Sequence, residues 1–361
     1  MTLLYESTVD ELLTHLGRNA SREDVLRVDP DKSGALLIQV QRAQGLVWYR
    51  CAQDKQIERL ELAADKKLPG GPHFSNLLKL GSATLLGWRP GKRATLLLKD
   101  DAGERILKAY RRGRSVDANC RYGLAQQAAA GSCLQVPRPL GHDQETEQIE
   151  MSVVPGEPLS LQLSEADQFF RLGHGLRHLQ AGAPHSSLAR HDRDAELTLL
   201  EDLSQRVLAL RTTLPLGWSE AILRLKQKLP RSRSEGLVLT HRDLHDGQIL
   251  VMDGSIGLLD FDLLCLGDPA LDVANLTAHL RLRAIQELPG TSEQVAEQLG
   301  LSLLDGLDRA SDDGFLENLR FYQATSFLRL ALVYYLRPRW TDVCPPLVSL
   351  ASRCIHEMAT S

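Results

Sequence analysis

The stretch LTHRDLHDGQILVMDGSIGLLDFD, residues 239–262, decides how this chain is read. It sets His241, Asp243 and Gln248 on a loop, follows them with two short apolar runs, and reaches Asp260. Ile249, Leu250, Val251 and Met252 read as a buried strand. Asp253, Gly254 and Ser255 are turn residues, and Ile256, Gly257, Leu258 and Leu259 form the return strand. In the simplest register Met252 faces Ile256, so Gln248 falls opposite Asp260. Cross-strand partners hold their Cβ atoms about 5 Å apart, so one divalent cation touches both. Asp243 lies at the same open end of the hairpin. A carboxylate that takes a hydroxyl proton and two oxygen ligands for magnesium are what phosphoryl transfer needs. Each Asp alone reads as a cap or turn residue; the ordered set carries the reading.

These residues resemble the catalytic core of the aminoglycoside phosphotransferase and choline kinase-like family, relatives of protein kinases. That family shows H-G-D-x-H-x-x-N, then I-D-F/W, then G-D-P-x-x-D-L-A. Here stand HRDLHDGQ, LLDFD and GDPALDVA, the last over residues 267–274. Arg242 replaces the usual Gly and Gln248 the usual Asn. Gln carries the same carbonyl oxygen on one more methylene. The resemblance spans residues 79–340 and implies an α+β, bilobal, protein kinase-like fold: a small antiparallel β lobe, a larger helical lobe and an N-terminal α/β extension. The expected division is 1–73, 74–152 and 153–361.

Upstream, residues 83–88, 94–99 and 105–110 read as three antiparallel strands, with RPGKR at residues 89–93 between the first two. The resemblance makes Lys108 the holder of the α- and β-phosphates and sets Arg89, Gly91 and either Lys92 or Arg93 over them. A basic hairpin tip by itself is a solvated turn. No GxxxxGK[ST] loop is present, which excludes a P-loop ATPase. A kinase strand lysine pairs with a Glu on the next helix. The helix expected at 117–130 has none, leaving Asp117, Gln126, Gln127 or a neutral partner. QIEMSVVPGEPLS, residues 148–160, resembles the family hinge. By that resemblance the Ser152 carbonyl and Val154 amide bind adenine, with Met151 behind the base.

His241 is expected to order the loop, with Asp243 as the base. His245, two residues on, is a candidate contact to the γ-phosphate or a loop-packing residue. Asp262 and Asp268 read as turn and anchoring residues, and Asp272 as the tie between a helix and the catalytic loop. Ser164 and Asp167, then Thr291 and Gln294, read as helix caps. Gly300 is expected to end a helix. Other helices are expected at 7–18, 194–210, 219–229, 314–336 and 345–358.

The chain has 361 residues, ample for a two-lobed unit with a sizeable core. A net charge of −4 argues against nucleic-acid or membrane-surface partners. No apolar run approaches the roughly 20 residues of a membrane span. The N-terminus lacks a secretory pattern, and six scattered cysteines read as buried free thiols. A cytoplasmic enzyme is the expectation, with no signal for an oligomeric state. The function expected is an ATP- and magnesium-dependent kinase acting on a small-molecule hydroxyl. From residue 311 onward five acids and five bases balance, which favours a sugar-like or other neutral metabolite over a polycationic aminoglycoside. A rival is a catalytically silent nucleotide binder acting as regulator or scaffold, suggested by Gln248 and the missing helix Glu.

Overall fold

The computed structural model describes residues 3–31, 33–43, 45–52, 54–101, 103–183, 185, 187–228 and 236–358. Gln44, Ala102 and Leu229, which the sequence places in two turns and at a helix end, lie outside them. Helix α1 (Leu3–Leu16) leads into strands β1 (Val25–Pro30), β2 (Leu36–Arg42), β3 (Gly45–Cys51) and β4 (Ile57–Arg59), paired antiparallel in that order. In the sequence, residues 35–41 and 45–51 read as a strand pair and residues 57–62 as a third strand or a helix start, so β2 and β3 are anticipated, β4 is one of two alternatives, and β1 is not anticipated. That edge strand has a bulge between Val25 and Arg27 and ends on a proline, which erases its period of two. Tyr5, Val9 and Leu12 recur at helical spacing and bury one face of α1. Tyr5 donates to the Leu336 carbonyl at 2.9 Å, and Arg211 pairs with Glu6, so the extension is fastened to the helical lobe.

The run LPGGP, residues 68–72, reads in the sequence as a breaker and a boundary, but its last two residues open a helix, α2 (Gly71–Lys79). Pro72 sits in its first turn, where a missing N–H costs nothing. Next come β5 (Ala83–Arg89), β6 (Arg93–Asp100), β7 (Gly103–Tyr110) and α3 (Ser115–Ala129). β8 (Leu134–Gln135), β9 (Pro139–Asp143) and β10 (Gln148–Ser152) follow. The sheet order is β5-β6-β7-β10-β9. Leu96, Leu98, Leu107 and Ala109 bury a compact core against Phe74, Leu62 and Leu68.

The remaining chain is mostly helical: β11 (Glu157–Pro158), α4 (Ala166–Gln180), β12 (Arg190–His191), α5 (Arg193–Arg211), α6 (Trp218–Gln227), β13 (Val238–Thr240), β14 (Ile249–Met252), β15 (Ser255–Leu258), β16 (Cys265–Gly267), α7 (Leu271–Ile285), α8 (Glu293–Leu307), α9 (Asp313–Tyr335) and α10 (Cys344–Glu357). Asp192 caps α5 by accepting from the Ala195 N–H. Two caps differ from expectation. Ser292, not Thr291, caps α8, its side chain accepting from the Val295 N–H. The Thr291 hydroxyl is turned instead to the Arg283 and Leu288 carbonyls. The expected Ser164–Asp167 pair does not form, because a short 3₁₀ turn (Leu163–Glu165) runs straight into α4.

Gly300 does not end α8, which continues to Leu307. α4 and α8 meet backbone to backbone: a Cβ on Gly306 would lie 2.0 Å from the Phe170 carbonyl oxygen. Cys51, Cys265 and Cys344 are buried free thiols and Cys133 and Cys354 are half-buried, whereas Cys120 is exposed, contrary to expectation. No helix among the described residues is long and apolar enough to cross a membrane.

Candidate active site

The hairpin expected at residues 249–259 forms, one residue out of the expected register. Met252 pairs with Ser255 and Val251 with Ile256, so the turn has two residues, Asp253 and Gly254. Gly254 takes φ +75° and supplies the left-handed conformation that a tight turn requires. Gln248 consequently lies opposite Leu259, whose N–H donates to the Gln248 carbonyl at 2.9 Å, and not opposite Asp260. Asp260 leaves the ladder with φ +62°.

The loop before the hairpin is held from α7. The Asp272 carboxylate accepts from the His241 and Arg242 N–H groups, both at 2.7 Å. Such charge-assisted bonds contribute roughly 1.5–3 kcal/mol each. This is the tie the sequence leads one to expect of Asp272. His241 is buried, bonds the Leu259 carbonyl through Nε2 at 2.7 Å and packs on Phe261. It orders the loop. Arg242 takes φ +70°, a conformation that costs an ordinary residue roughly 1–2 kcal/mol and a glycine nothing. Asp243 follows it, half-buried.

Lys108 on β7 is buried and donates to Asp260 Oδ1 at 2.7 Å, Asp262 Oδ1 at 2.8 Å and the Tyr122 hydroxyl at 3.0 Å. Burial opposes its charge, but Tyr122 and the two carboxylates outweigh that and push its pKa up. Tyr122 on α3 thus stands where the sequence leads one to look for a Glu. Asp117, Gln126 and Gln127 are exposed on that helix. Arg93, at the start of β6, donates to Asp260 Oδ2 at 2.9 Å and Asp262 Oδ2 at 2.5 Å. Burial raises the Asp260 pKa, yet Lys108 and Arg93 overcome it and hold this carboxyl well below the usual range. Asp262, expected as a turn residue, is therefore a working part of the cluster. The only signal for this in the sequence is a second acid two residues after Asp260.

Magnesium has a fitting donor here. Gln248 Oε1 is buried and has no protein hydrogen-bond partner, and Asp260 is held ionised. An orphaned buried oxygen is costly unless something binds it.

The other nucleotide candidates separate. Arg89 is drawn to Asp29 of β1, with Nε to Oδ2 at 3.2 Å, and the Gly91 N–H donates to Asp65 at 2.7 Å. Trp48 donates to the Trp88 carbonyl. The hairpin tip is thus engaged by the extension, and Lys92 is exposed. Met151 is buried opposite Ile106, Ser152 ends β10 with its N–H on the Arg138 carbonyl, and Val154 is buried on the connection to the helical lobe. A Cβ on Gly257 would lie 2.8 Å from Val154 Cγ1, so the catalytic hairpin passes tightly under this linker. His245 stacks on His279 at 5.0 Å, and burial lowers both pKa values. With Asp246 they bring candidate metal ligands within 4.8 Å of one another. Arg283 already holds both Asp246 oxygens, and His245 Nδ1 accepts from the Gly247 N–H. His279 Nδ1 is buried without a hydrogen-bond partner, 4.0 Å from Asp246 Oδ1.

Residues 91–310 match the model of the phosphotransferase enzyme family. The fold is similar to a choline/ethanolamine kinase family protein from Mesorhizobium loti, with TM-score 0.54 and 15% identity, covering 81% of this chain and 98% of that one. It is also similar to an amicoumacin kinase solved with AMP-PNP, Ca2+ and its antibiotic, with TM-score 0.57 and 15% identity over 78% of this chain and 93% of that one. An aminoglycoside phosphotransferase from Streptomyces rimosus gives TM-score 0.50 and 18% identity over 71% and 97%. No curated protein matches the sequence. With more than half of its length matched, this chain belongs to the phosphotransferase enzyme family and is a kinase-like enzyme acting on hydroxyl groups.

Proposed function

We propose that the protein is an ATP- and magnesium-dependent kinase of a small, uncharged, sugar-like metabolite. The observation that carries this reading is the buried, unpartnered Gln248 oxygen at the open end of the hairpin, with Asp243 on the loop before it and Asp260 just beyond its return strand. Asp243 orients the acceptor hydroxyl and takes its proton. Gln248 and Asp260 would hold the metal, and Lys108 would hold the α- and β-phosphates. Bound magnesium nucleotide supplies the phosphoryl group and a cation that neutralises its charge. Met151, Ser152 and Val154 would border the base. The amicoumacin kinase, solved with AMP-PNP and Ca2+, supports a nucleotide and a divalent ion.

Asp246, three residues after Asp243, is already paired with Arg283. A carboxylate already paired with arginine offers little to a polycation, which favours the neutral acceptor over an aminoglycoside. The silent-relative reading retains one observation, the double engagement of Asp260 by Lys108 and Arg93. A phosphorylation panel of sugars, amino alcohols and aminoglycosides, with and without magnesium, tests the proposal. Metal-dependent transfer to a neutral sugar-like hydroxyl supports it; transfer only to aminoglycosides, or none, overturns it.

A further inference from the structure

We propose that Asn275 is a positioning residue that holds the catalytic loop in its left-handed turn immediately before Asp243. Asn275 lies on α7, about one turn after Asp272, and is 1% exposed. Its Nδ2 donates to the Arg242 carbonyl at 2.7 Å. Its Oδ1 accepts from Ser326 at 2.7 Å and from Arg329 at 2.6 Å, both on α9. The amide is therefore fixed in orientation by two donors, with its own donor aimed at one peptide.

That peptide joins Arg242 to Asp243. Arg242 stands at φ +70°, which an L side chain adopts only when its surroundings enforce it. Asp272 grips the N–H of Arg242 and Asn275 grips its carbonyl, so the residue is held from both ends. Asp272 alone leaves the Arg242 carbonyl free to rotate, and the Asp243 carboxylate would turn with it. Glycine at 242 would need no such enforcement. Asn275 thus compensates for the arginine. Through Ser326 and Arg329 the same amide links the loop to α9.

The relationship predicts a particular coupling between two substitutions. Asn275→Ala should lower the rate of magnesium-ATP hydrolysis by about tenfold while leaving KM for ATP within about twofold, because nucleotide contacts are elsewhere. Arg242→Gly in the same chain should recover most of that loss, since glycine adopts the turn unaided. Amide hydrogen exchange at His241 and Arg242 supplies a readout independent of turnover: faster in Asn275→Ala, and restored towards wild type in the double variant. A purely structural role would make the two losses additive and exchange rise across α7 and α9 alike. Additive losses, or unchanged exchange at His241 and Arg242 in Asn275→Ala, would overturn the proposal. Absence of hydrolysis in the wild type would count against the kinase reading instead, and the exchange measurement still decides the role of Asn275.

Discussion

Arg93 and Lys108 grip opposite oxygens of Asp260, at 2.9 Å to Oδ2 and 2.7 Å to Oδ1. The carboxylate proposed to hold magnesium is thus already neutralised by two cations from the β lobe. A metal at Asp260 must share it with Arg93 or displace it.

Arg93→Ala should therefore lower the magnesium concentration for half-maximal activity by about threefold to tenfold, roughly 0.7–1.4 kcal/mol of competition. Magnesium titration at fixed ATP checks this. A higher requirement would show that Arg93 assists the metal nucleotide instead of competing with it.

Gln248→Ala removes an oxygen that no protein group uses. Stability without ligand should change little, while the thermal shift produced by magnesium and ATP should shrink. Gln248→Asn should keep activity within about tenfold, or roughly 1.4 kcal/mol of barrier. A structure with nucleotide and magnesium in which Gln248 turns away from the ion would end its assignment.

Glu147 caps the start of α3, accepting from the N–H groups of Gly113, Arg114 and Ser115. Burial works against its charge, but these N–H groups and the Ser115 hydroxyl outweigh it and hold its pKa down to about 2, from an ordinary 4.5. A depressed carboxyl stabilises the fold fully above its unfolded pKa and loses that contribution as pH falls through the folded value. Glu147→Gln should thus be less stable than wild type at neutral pH, with the difference narrowing as pH drops from the unfolded value near 4.5 towards about 2. Denaturation across that range checks the sign; a gap that widens in acid would contradict it.

If the acceptor is uncharged, its KM should vary little between low and high salt, because screening acts on charge pairs. Steady-state kinetics at two ionic strengths measure this. A KM that climbs steeply with salt would point to a cationic acceptor.

The catalytic hairpin is legible in the sequence because HRD, the strand pair and LLDFD lie together. Its register is not, since Ser255 serves as either a turn or a strand residue, and one residue moves every partner. Lys108 is legible as a strand lysine. Its partner Tyr122 is not, because a buried tyrosine on a helix reads as core until the lysine is seen beside it. Asp262 reads as a turn acid for want of the same information. Strand β1, which carries Asp29 to Arg89, is hidden by its bulge and proline, so the engagement of the hairpin tip by the extension emerges only from the three-dimensional contacts.

The roles proposed in the site converge on phosphoryl transfer to an acceptor hydroxyl, a step in which Asp243 is proposed to take the proton. The most direct measurement of that step is kcat of Asp243→Asn on the acceptor identified from the panel, with the thermal shift by magnesium-ATP recorded alongside. A fall in kcat of about a hundredfold or more is expected, with nucleotide binding and fold retained. A variant that keeps most of its turnover would contradict it.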